Sequence, residues 1–375
     1  MLFSKKSKFP IGLDISDLSI KGVQLQKSRG EIKIQALNKQ LLQPGIIESG
    51  IIVNEKDFLN SLNKLISKPK FGVFSTEEIV VCLPETKTFV KTIKIDNNPN
   101  NIKDLIESQI QKNFPFAIEE IYYDWQIVYQ DKNFISVLIG AAPRSIVDQY
   151  TRLFSQANLS IQAFEIEGTA ICRALLPEES PNFEQKVSKN YLIIDIGAKR
   201  TSIVIYANKS IATSVSLPIS GEGTTEKIAK TLEIDKEQAE KAKIICGLDK
   251  QKAQGVIYDI LSEKIDKLLD GLNNAINFFY SQHNDMGKID EIIICGGGSN
   301  IKELDRKIAE STKIKANRAN IFTNLSEHHD KFNKFLKEKH YAKDKDKTLY
   351  SEQTSIYAYA TTIGLALRNI FLKDE

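Results

Sequence analysis

IGLDISDLSIKGVQL, residues 11–25, decides the reading, because LIIDIGAKRTSIVIY, residues 192–206, repeats it. Aligned without gaps, Asp14 meets Asp195, Ile15 meets Ile196 and Ser16 meets Gly197, an offset of 181 positions in a chain of 375 residues. Each copy runs from an apolar strand through an acidic residue and a short turn of small and polar residues into a strand rich in β-branched side chains, the pattern of a β-hairpin. Self-similarity at half the chain length predicts an α/β architecture of two similar lobes, each opening with the same hairpin.

Composition sets the outer limits. At roughly 100–200 residues per domain the chain allows two or three domains and a sizeable core. Lys and Arg number 51 against 48 Asp and Glu, a net charge of +3, which excludes a bulk nucleic-acid footprint. The most apolar run, 356–367 (IYAYATTIGLAL), is too short to span a bilayer, and residues 1–10 (MLFSKKSKFP) lack the apolar core of a signal peptide, so the chain is expected to be cytoplasmic. Cys82, Cys172, Cys246 and Cys295 are widely spaced with no C-x-x-C and read as buried thiols in a reducing compartment. His283, His328, His329 and His340 lie in polar stretches and adjoin no motif. They read as surface residues and support neither a zinc site nor a nucleophile–base pair.

Between the hairpins, 78–83 (EIVVCL) is a short buried strand stopped by Pro84. Residues 86–160 have their own β-α-β-β-α pattern, with strands at 89–95, 122–129 and 135–141 and helices at 101–114 and 145–157, and read as an inserted α+β subdomain. Residues 221–285 are mostly helical: Thr224 or Thr225 caps a helix running through Leu232, and 262–281 carries Ile265, Leu268, Leu269, Leu272, Ile276, Phe279 and Tyr280 as a core-facing stripe. Residues 290–299 (DEIIICGGGS) are a strand and a Gly-rich turn, with a helix expected over 301–309; the polar stretch 326–352, containing KDKDK at 343–347, reads as a solvated loop. The expected division is a first lobe of 1–85, 161–189 and 345–375, the insert 86–160, a second lobe of 190–220 and 286–344, and a helical subdomain 221–285.

Four pieces point to one chemistry. The first hairpin carries Asp14, the turn residues Ser16, Asp17, Leu18 and Ser19, and Lys21. The second carries Asp195, Gly197, Lys199, Arg200 and Thr201. The Gly-rich turn supplies Gly296, Gly297, Gly298 and Ser299, and a helical stretch supplies Glu240 and Lys243. Tight turns expose successive backbone N–H groups that hold phosphate oxygens, and small residues let the backbone approach closely. A carboxylate before each turn, Asp14 and Asp195, suits the waters of a bound Mg²⁺. A Gly-rich strand-to-helix turn lets a nucleotide pass close to a helix N-terminus. Each piece alone is weak; their order along the chain is the signal.

That ordered set resembles the actin-like ATPase superfamily, whose ribonuclease H-like two-lobe fold places the hairpins as two phosphate loops and the Gly-rich turn as an adenosine motif. Within it the chain is most similar to the PilM family of type IV pilus assembly proteins. The likeness covers nearly the whole chain and lies in the opening IGLDIS…SIKGVQL, LQPGIIESG at 42–50 with IIVN at 51–54, QIQKNFPFAIEEIYY at 109–123 with Asp124 and Gln126, SGEGTT at 220–225 with Gly221, Ala239 and Glu240 with Lys243, and TIGLALR at 362–368. The resemblance implies ATP and Mg²⁺ as ligands, at most slow hydrolysis, and capture of the N-terminal cytoplasmic tail of a PilN-like bitopic membrane protein. It also implies a cytoplasmic location peripheral to the inner membrane, with the membrane reached only through a partner; self-association is left open. Ser16 stands where the family carries Gly, a second Gly is expected near Glu222, and Asp17 adds a charge that would repel a terminal phosphate unless it points away.

In hydrolytic relatives an acidic or amide residue near Glu165–Glu167 positions water; here these residues read equally as the cap of a helix over 168–176, and no catalytic residue is assigned. The partner groove is expected between the first lobe and the insert, with Phe114, Phe116 and Trp125 either lining it or filling the insert's core. An FtsA-like membrane-tethering filament is the alternative, but the basic amphipathic helix that ends such proteins is not seen before Asp374 and Glu375. A small-molecule kinase of the same fold would need an acidic base in the cleft, and none is evident.

Overall fold

The computed structural model describes residues 9–97, 101–178, 189–283, 286–326 and 356–371. Residues 327–352 of the expected polar loop, with His328, His329 and His340, lie outside the described residues, as do 1–8, 179–188 and 345–355 of the expected first lobe.

The duplication appears as two sheets of the same topology. In the first, β1 (Ile11–Ser16), β2 (Ser19–Ser28) and β3 (Glu31–Leu41) form an antiparallel meander. Two strands, β4 (Ile47–Glu48) and β5 (Ile51–Ile52), make a separate small hairpin, and β6 (Phe71–Gly72) joins the edge of β3. Helix α1 (Glu55–Ser67) buries Phe58, Leu62 and Leu65 and starts where the Asn54 side chain accepts from the Asp57 amide. Strand β7 (Glu78–Cys82) runs parallel to β1.

The insert follows as β8 (Phe89–Asp96), α2 (Ile102–Asn113), β9 (Ile121–Gln130) and β10 (Phe134–Pro143), a sheet ordered β8-β10-β9. Its core packs Ile93, Ile106, Ile110, Val137 and Ile139 together. Helix α3 (Arg144–Gln156) falls within the expected 86–160 block, yet it turns Ile146, Tyr150, Leu153 and Phe154 into the first lobe's core. There the Phe154 and Phe58 rings meet edge-on at 6.2 Å. Strand β11 (Ser160–Glu165), parallel to β7, and α4 (Glu167–Leu175) return the chain to the first lobe.

The second lobe repeats the plan with β12 (Tyr191–Ile196), β13 (Thr201–Ala207) and β14 (Ser210–Leu217). Helices α5 (Gly221–Leu232), α6 (Lys236–Cys246) and α7 (Val256–Gln282) come next, then β15 (Glu291–Cys295), α8 (Leu304–Thr312) and β16 (Ala316–Arg318). Strand orders are β11-β7-β1-β2-β3 and β16-β15-β12-β13-β14, so the copies correspond strand for strand in order, with β6 as an extra edge. The last described helix, α9 (Ala360–Phe371), packs on β1 and α4 of the first lobe.

Three sequence expectations need correction. Helix α5 is capped by Ser220, whose Oγ accepts from the Gly223 amide at 3.0 Å. Thr224 and Thr225 lie inside the first turn and bond back to the Ser220 and Gly221 carbonyls. The long helix begins at Val256, six residues before the expected Ser262, because Ile257, Ile260 and Leu261 extend its buried stripe. The Gly-rich turn leads into a 3₁₀ turn, Gly297–Asn300, and the helix starts at Leu304, after Glu303 in a left-handed conformation (φ 66°). Cys82, Cys172, Cys246 and Cys295 are buried free thiols, as expected. His283, the described histidine, packs half-buried on Phe279 at 5.6 Å between ring centroids.

Gly364 decides how closely α9 lies on α4: a Cβ built there would fall 1.7 Å from the Ala170 carbonyl oxygen. Backbone on both sides leaves nothing soft to yield. Gly364→Ala is expected to cost about 1–3 kcal/mol and to lower the thermal midpoint. Gly297→Ala, whose Cβ meets nothing within 4 Å, should leave it in place.

Candidate functional site

Asp14 and Asp195 occupy equivalent strands of the duplicated sheets, near the carboxyl ends where open α/β sheets bind ligands. Asp14 pairs in register with Lys21 on β2, and the Lys21 ammonium reaches its Oδ2 at 2.5 Å. Burial alone would lower the Lys21 pKa; Asp14 outweighs it, with Asp195 and Glu167 adding, and turns the shift upward. Asp195, half-buried opposite, is pushed up to about 7 by desolvation and by Asp14 and Glu85, against the pull of Lys21. Glu167, the first residue of α4, rises well above the usual carboxylate range through burial and the neighbouring Glu85, Asp195 and Asp14. Glu85 rises as well, burial outweighing hydrogen bonds from Ser202 and Ser216 and the Arg200 charge. Four carboxyl groups from both lobes thus share one electrostatic neighbourhood around Lys21.

The Gly-rich turn closes on the same place. Gly296 has φ 79°, and a Cβ there would lie 2.0 Å from Asp195 Oδ1; at Gly298 it would lie 2.2 Å from Ile196 Cγ2. Both positions demand glycine, whereas Gly297 faces open space. The second hairpin loop is tied to α5 by the Gly221 amide on the Gly197 carbonyl, 3.1 Å, and the Glu222 amide on the Ala198 carbonyl, 3.0 Å. Lys243 is buried and donates to the Gly221 carbonyl (3.1 Å), Thr225 Oγ1 (2.8 Å) and Glu240 Oε2 (2.6 Å), so it staples α6 to the start of α5. Lys199 pairs with Glu222 at 2.5 Å.

Other expected site residues have partners within the protein. Asp17 turns out of the first loop, its carboxylate accepting from the Ser49 and Gly50 amides at 3.0 Å each. Its carboxylate therefore braces the β4–β5 hairpin. The Leu18 carbonyl accepts from the Leu42 amide, and Ser16 Oγ donates to the Ser19 carbonyl. Thr201 is buried on the Ile219 carbonyl and Ser299 on the Gly296 carbonyl. Arg200 reaches along the sheet to Ser216 Oγ at 2.7 Å.

Glu165 and Glu167 separate cleanly. Glu165 is clamped by Arg173 at 2.7 and 2.8 Å and by Arg368 at 2.8 Å, with Arg173 also on the Gly364 carbonyl. This network binds β11, α4 and α9 together and gives TIGLALR a structural reason. Glu167 faces the acid cluster. Glu85 escaped the sequence reading, although it follows Pro84 at the carboxyl end of a buried parallel strand, the position that rule singles out. A cavity of about 200 Å³ opens beside the cluster, lined by Glu85, Phe89, Ile166, Glu167, Ser202 and Ser216 among others. Phe114, Phe116 and Trp125 belong to the insert's own core.

With this geometry in place, comparison with known proteins gives concordant results. A family model described as type IV pilus assembly protein PilM matches residues 12–370. Among solved structures, the PilM–PilN type IV pilus biogenesis complex aligns with a TM-score of 0.74 at 19% identity, covering 96% of this chain and 98% of that one. EutJ, an ethanolamine utilization protein from Carboxydothermus hydrogenoformans, aligns at TM-score 0.53, 12% identity, 96% of this chain and 90% of that one. MreB5 of Spiroplasma citri bound to ADP aligns at TM-score 0.50, 13% identity, 85% and 93%. The cell division protein FtsA of Streptococcus pneumoniae is 23% identical over 264 residues, 64% of this chain. The chain spans 56% of that curated relative's length. The fold is the two-lobe actin-like one. Among the described residues no helix is long and apolar enough to cross a membrane.

The raised Asp195 pKa sets a sign. The folded state favours the protonated acid, so ionisation costs nothing below the unfolded value near 4 and costs progressively more until the pH passes about 7. Asp195→Asn in metal-free buffer is therefore expected to raise the thermal midpoint at pH 8, by an amount that shrinks as the pH falls to 5. A gain independent of pH would contradict the cluster's electrostatics.

Proposed function

The chain belongs to the PilM family of type IV pilus assembly proteins, and we propose that it is an ATP-binding cytoplasmic scaffold of a type IV pilus, or related type II secretion, inner-membrane assembly platform. Its partner would be the N-terminal tail of a PilN-like membrane protein, through which it is held at the inner membrane. One observation carries the nucleotide half: two acid-tipped hairpins of a duplicated sheet share a single neighbourhood with Lys21 and a glycine turn packed against Asp195.

The residues present fit a magnesium nucleotide. Among the described residues no three His, Cys, Asp or Glu side chains converge as a ready metal site. Mg²⁺ asks for less, taking one or two carboxylates with waters and substrate phosphates. Asp14 and Asp195 supply the carboxylates, and the metal would supply charge neutralisation for the phosphates. Lys21 and the Lys199 side of the second loop favour the phosphates, Gly297 leaves room for the nucleoside, and Glu240, carried beside Lys243, suits ribose hydroxyls. Bound in this way, the ligand contacts both lobes and favours their closed arrangement to the extent that it binds that arrangement better. The scaffold role requires binding alone.

The partner half is supported by the match, over nearly both full chains, to a structure whose complex contains PilN. On β9, Tyr122, Asp124 and Gln126 are exposed and stand in register with Ala142, Gly140 and Leu138, on the insert face turned toward the body of the protein. As the edge strand of its sheet, β9 offers unpaired N–H and C=O groups to an extended segment.

Calorimetry with ATP and Mg²⁺ tests the first half. Asp195→Ala should weaken binding by about tenfold or more, and an unchanged affinity would remove the assigned site. Pull-down with a PilN-like N-terminal peptide tests the second half. Liposome co-sedimentation should leave the isolated protein in the supernatant; pelleting without a partner would favour an FtsA-like tether.

A further inference from the structure

Two of the places where the lobes meet differ chemically. One is a dry apolar hinge, where Ile171 and Leu175 of α4 and Ile363 of α9 pack with Ile193, Val204 and Ile293 of the second lobe. The other is polar. Glu85 lies in the 3₁₀ turn Glu85–Lys87 that leads from the first lobe into the insert. Its Oε2 accepts from Ser202 Oγ on β13 at 2.6 Å and from Ser216 Oγ on β14 at 3.3 Å. Arg200 Nε donates to the same Ser216 Oγ at 2.7 Å. Nearby, Thr92 Oγ1 on β8 donates to the Ile211 carbonyl on β14 at 2.6 Å. The cavity of about 200 Å³ adjoins these bonds, with Glu85, Ser202 and Ser216 on its wall. Apolar area resists separation in water roughly in proportion to its extent, whereas hydrogen bonds beside a cavity exchange for water at small net cost. The two contacts are therefore unequal: a parting of the lobes would break the second at smaller cost than the first.

We propose that Glu85 is an interlobe clasp: its bonds to Ser202 and Ser216 hold the second lobe's sheet against the root of the insert, open when the lobes part about the apolar hinge, and so tie the seat of the insert to the occupancy of the cleft. The clasp stands on the hydrogen bonds alone; the tie to occupancy rests on the nucleotide reading above. Glu167 lies between them, on the cavity wall and in the acid cluster. A signal from the phosphate loops to β8 thus has a short route through side chains that face one another.

Hydrogen–deuterium exchange on the full chain, read by mass spectrometry, tests both halves. Without nucleotide, Glu85→Ala and the double variant Ser202→Ala with Ser216→Ala should each speed exchange in β8 and β14 by about fivefold or more, with α4 and α9 unchanged. Glu85→Gln, which keeps an acceptor oxygen, should recover much of the protection, whereas Glu85→Met, of similar bulk without that oxygen, should not; equal recovery by both would indicate a purely steric role. Should Glu85→Ala fail to fold, the serine pair reaches the same bonds from the other lobe. Wild-type exchange in β8 and β14 of the variants overturns the clasp. With ATP and Mg²⁺, the wild type should gain protection at both phosphate loops and in β8, and Glu85→Ala at the loops only. Equal protection of β8 in both proteins overturns the tie. No protection at the loops would defeat the nucleotide reading and the tie with it, while the nucleotide-free comparison still decides the clasp.

Discussion

Crowded like charge is the constraint on which the rest of the structure depends. Asp14, Asp195, Glu167 and Glu85 come from both lobes and from the root of the insert, yet the charges of Asp14 and Glu85 reach both Asp195 and Glu167 and push their pKa values up. Lys21 relieves part of this repulsion through its bond to Asp14. Carboxyl groups drawn together from such distant parts of the chain are costly unless protons, cations or a ligand carrying a cation offset them. The fold maintains that cost by building each sheet rigidly behind its acid, with buried strands on both sides of β1 and β12.

The rigidity comes from close backbone packing as much as from apolar area. Gly12 lets α9 cross β1, and Gly364 lets the same helix lie against α4. Arg173 and Arg368 then lock Glu165 at the end of β11. Two acids only two residues apart thus have opposite fates, Glu165 neutralised inside the scaffold and Glu167 turned into the cleft. The strand-to-helix boundary between them makes the difference, since it rotates successive side chains to different sides.

Much of this was legible in the chain. The paired DI hairpins predicted the duplication and the two principal acids, because a repeat survives as pattern even when most side chains differ. Strands and helices of the insert were legible from their periodicity. What escaped was whatever depends on distant partners. The orientation of Asp17 is set by amides more than 30 residues away. Thr201 is held on the Ile219 carbonyl, which the fold brings to it from just past the far end of β14. The partners of Lys243 were not legible either: it donates to Gly221 and Thr225 at the start of α5 and to Glu240 on its own helix. Helix α3 reads as the end of the insert by order along the chain and belongs to the first lobe by packing, since amphipathicity reveals a face and not what covers it. Glu85 sat in a turn with no periodicity to mark it.

The register of the insert has a consequence of its own. Phe89, where β8 begins, stands directly opposite Ala141, near where β10 ends. Chain therefore enters and leaves this unit at one point, and its core is closed on itself. It is a cassette with one point of covalent attachment: what lies between those two residues can change what the protein grips while both lobes keep their strand order, provided that the bond from Thr92 to β14 is kept.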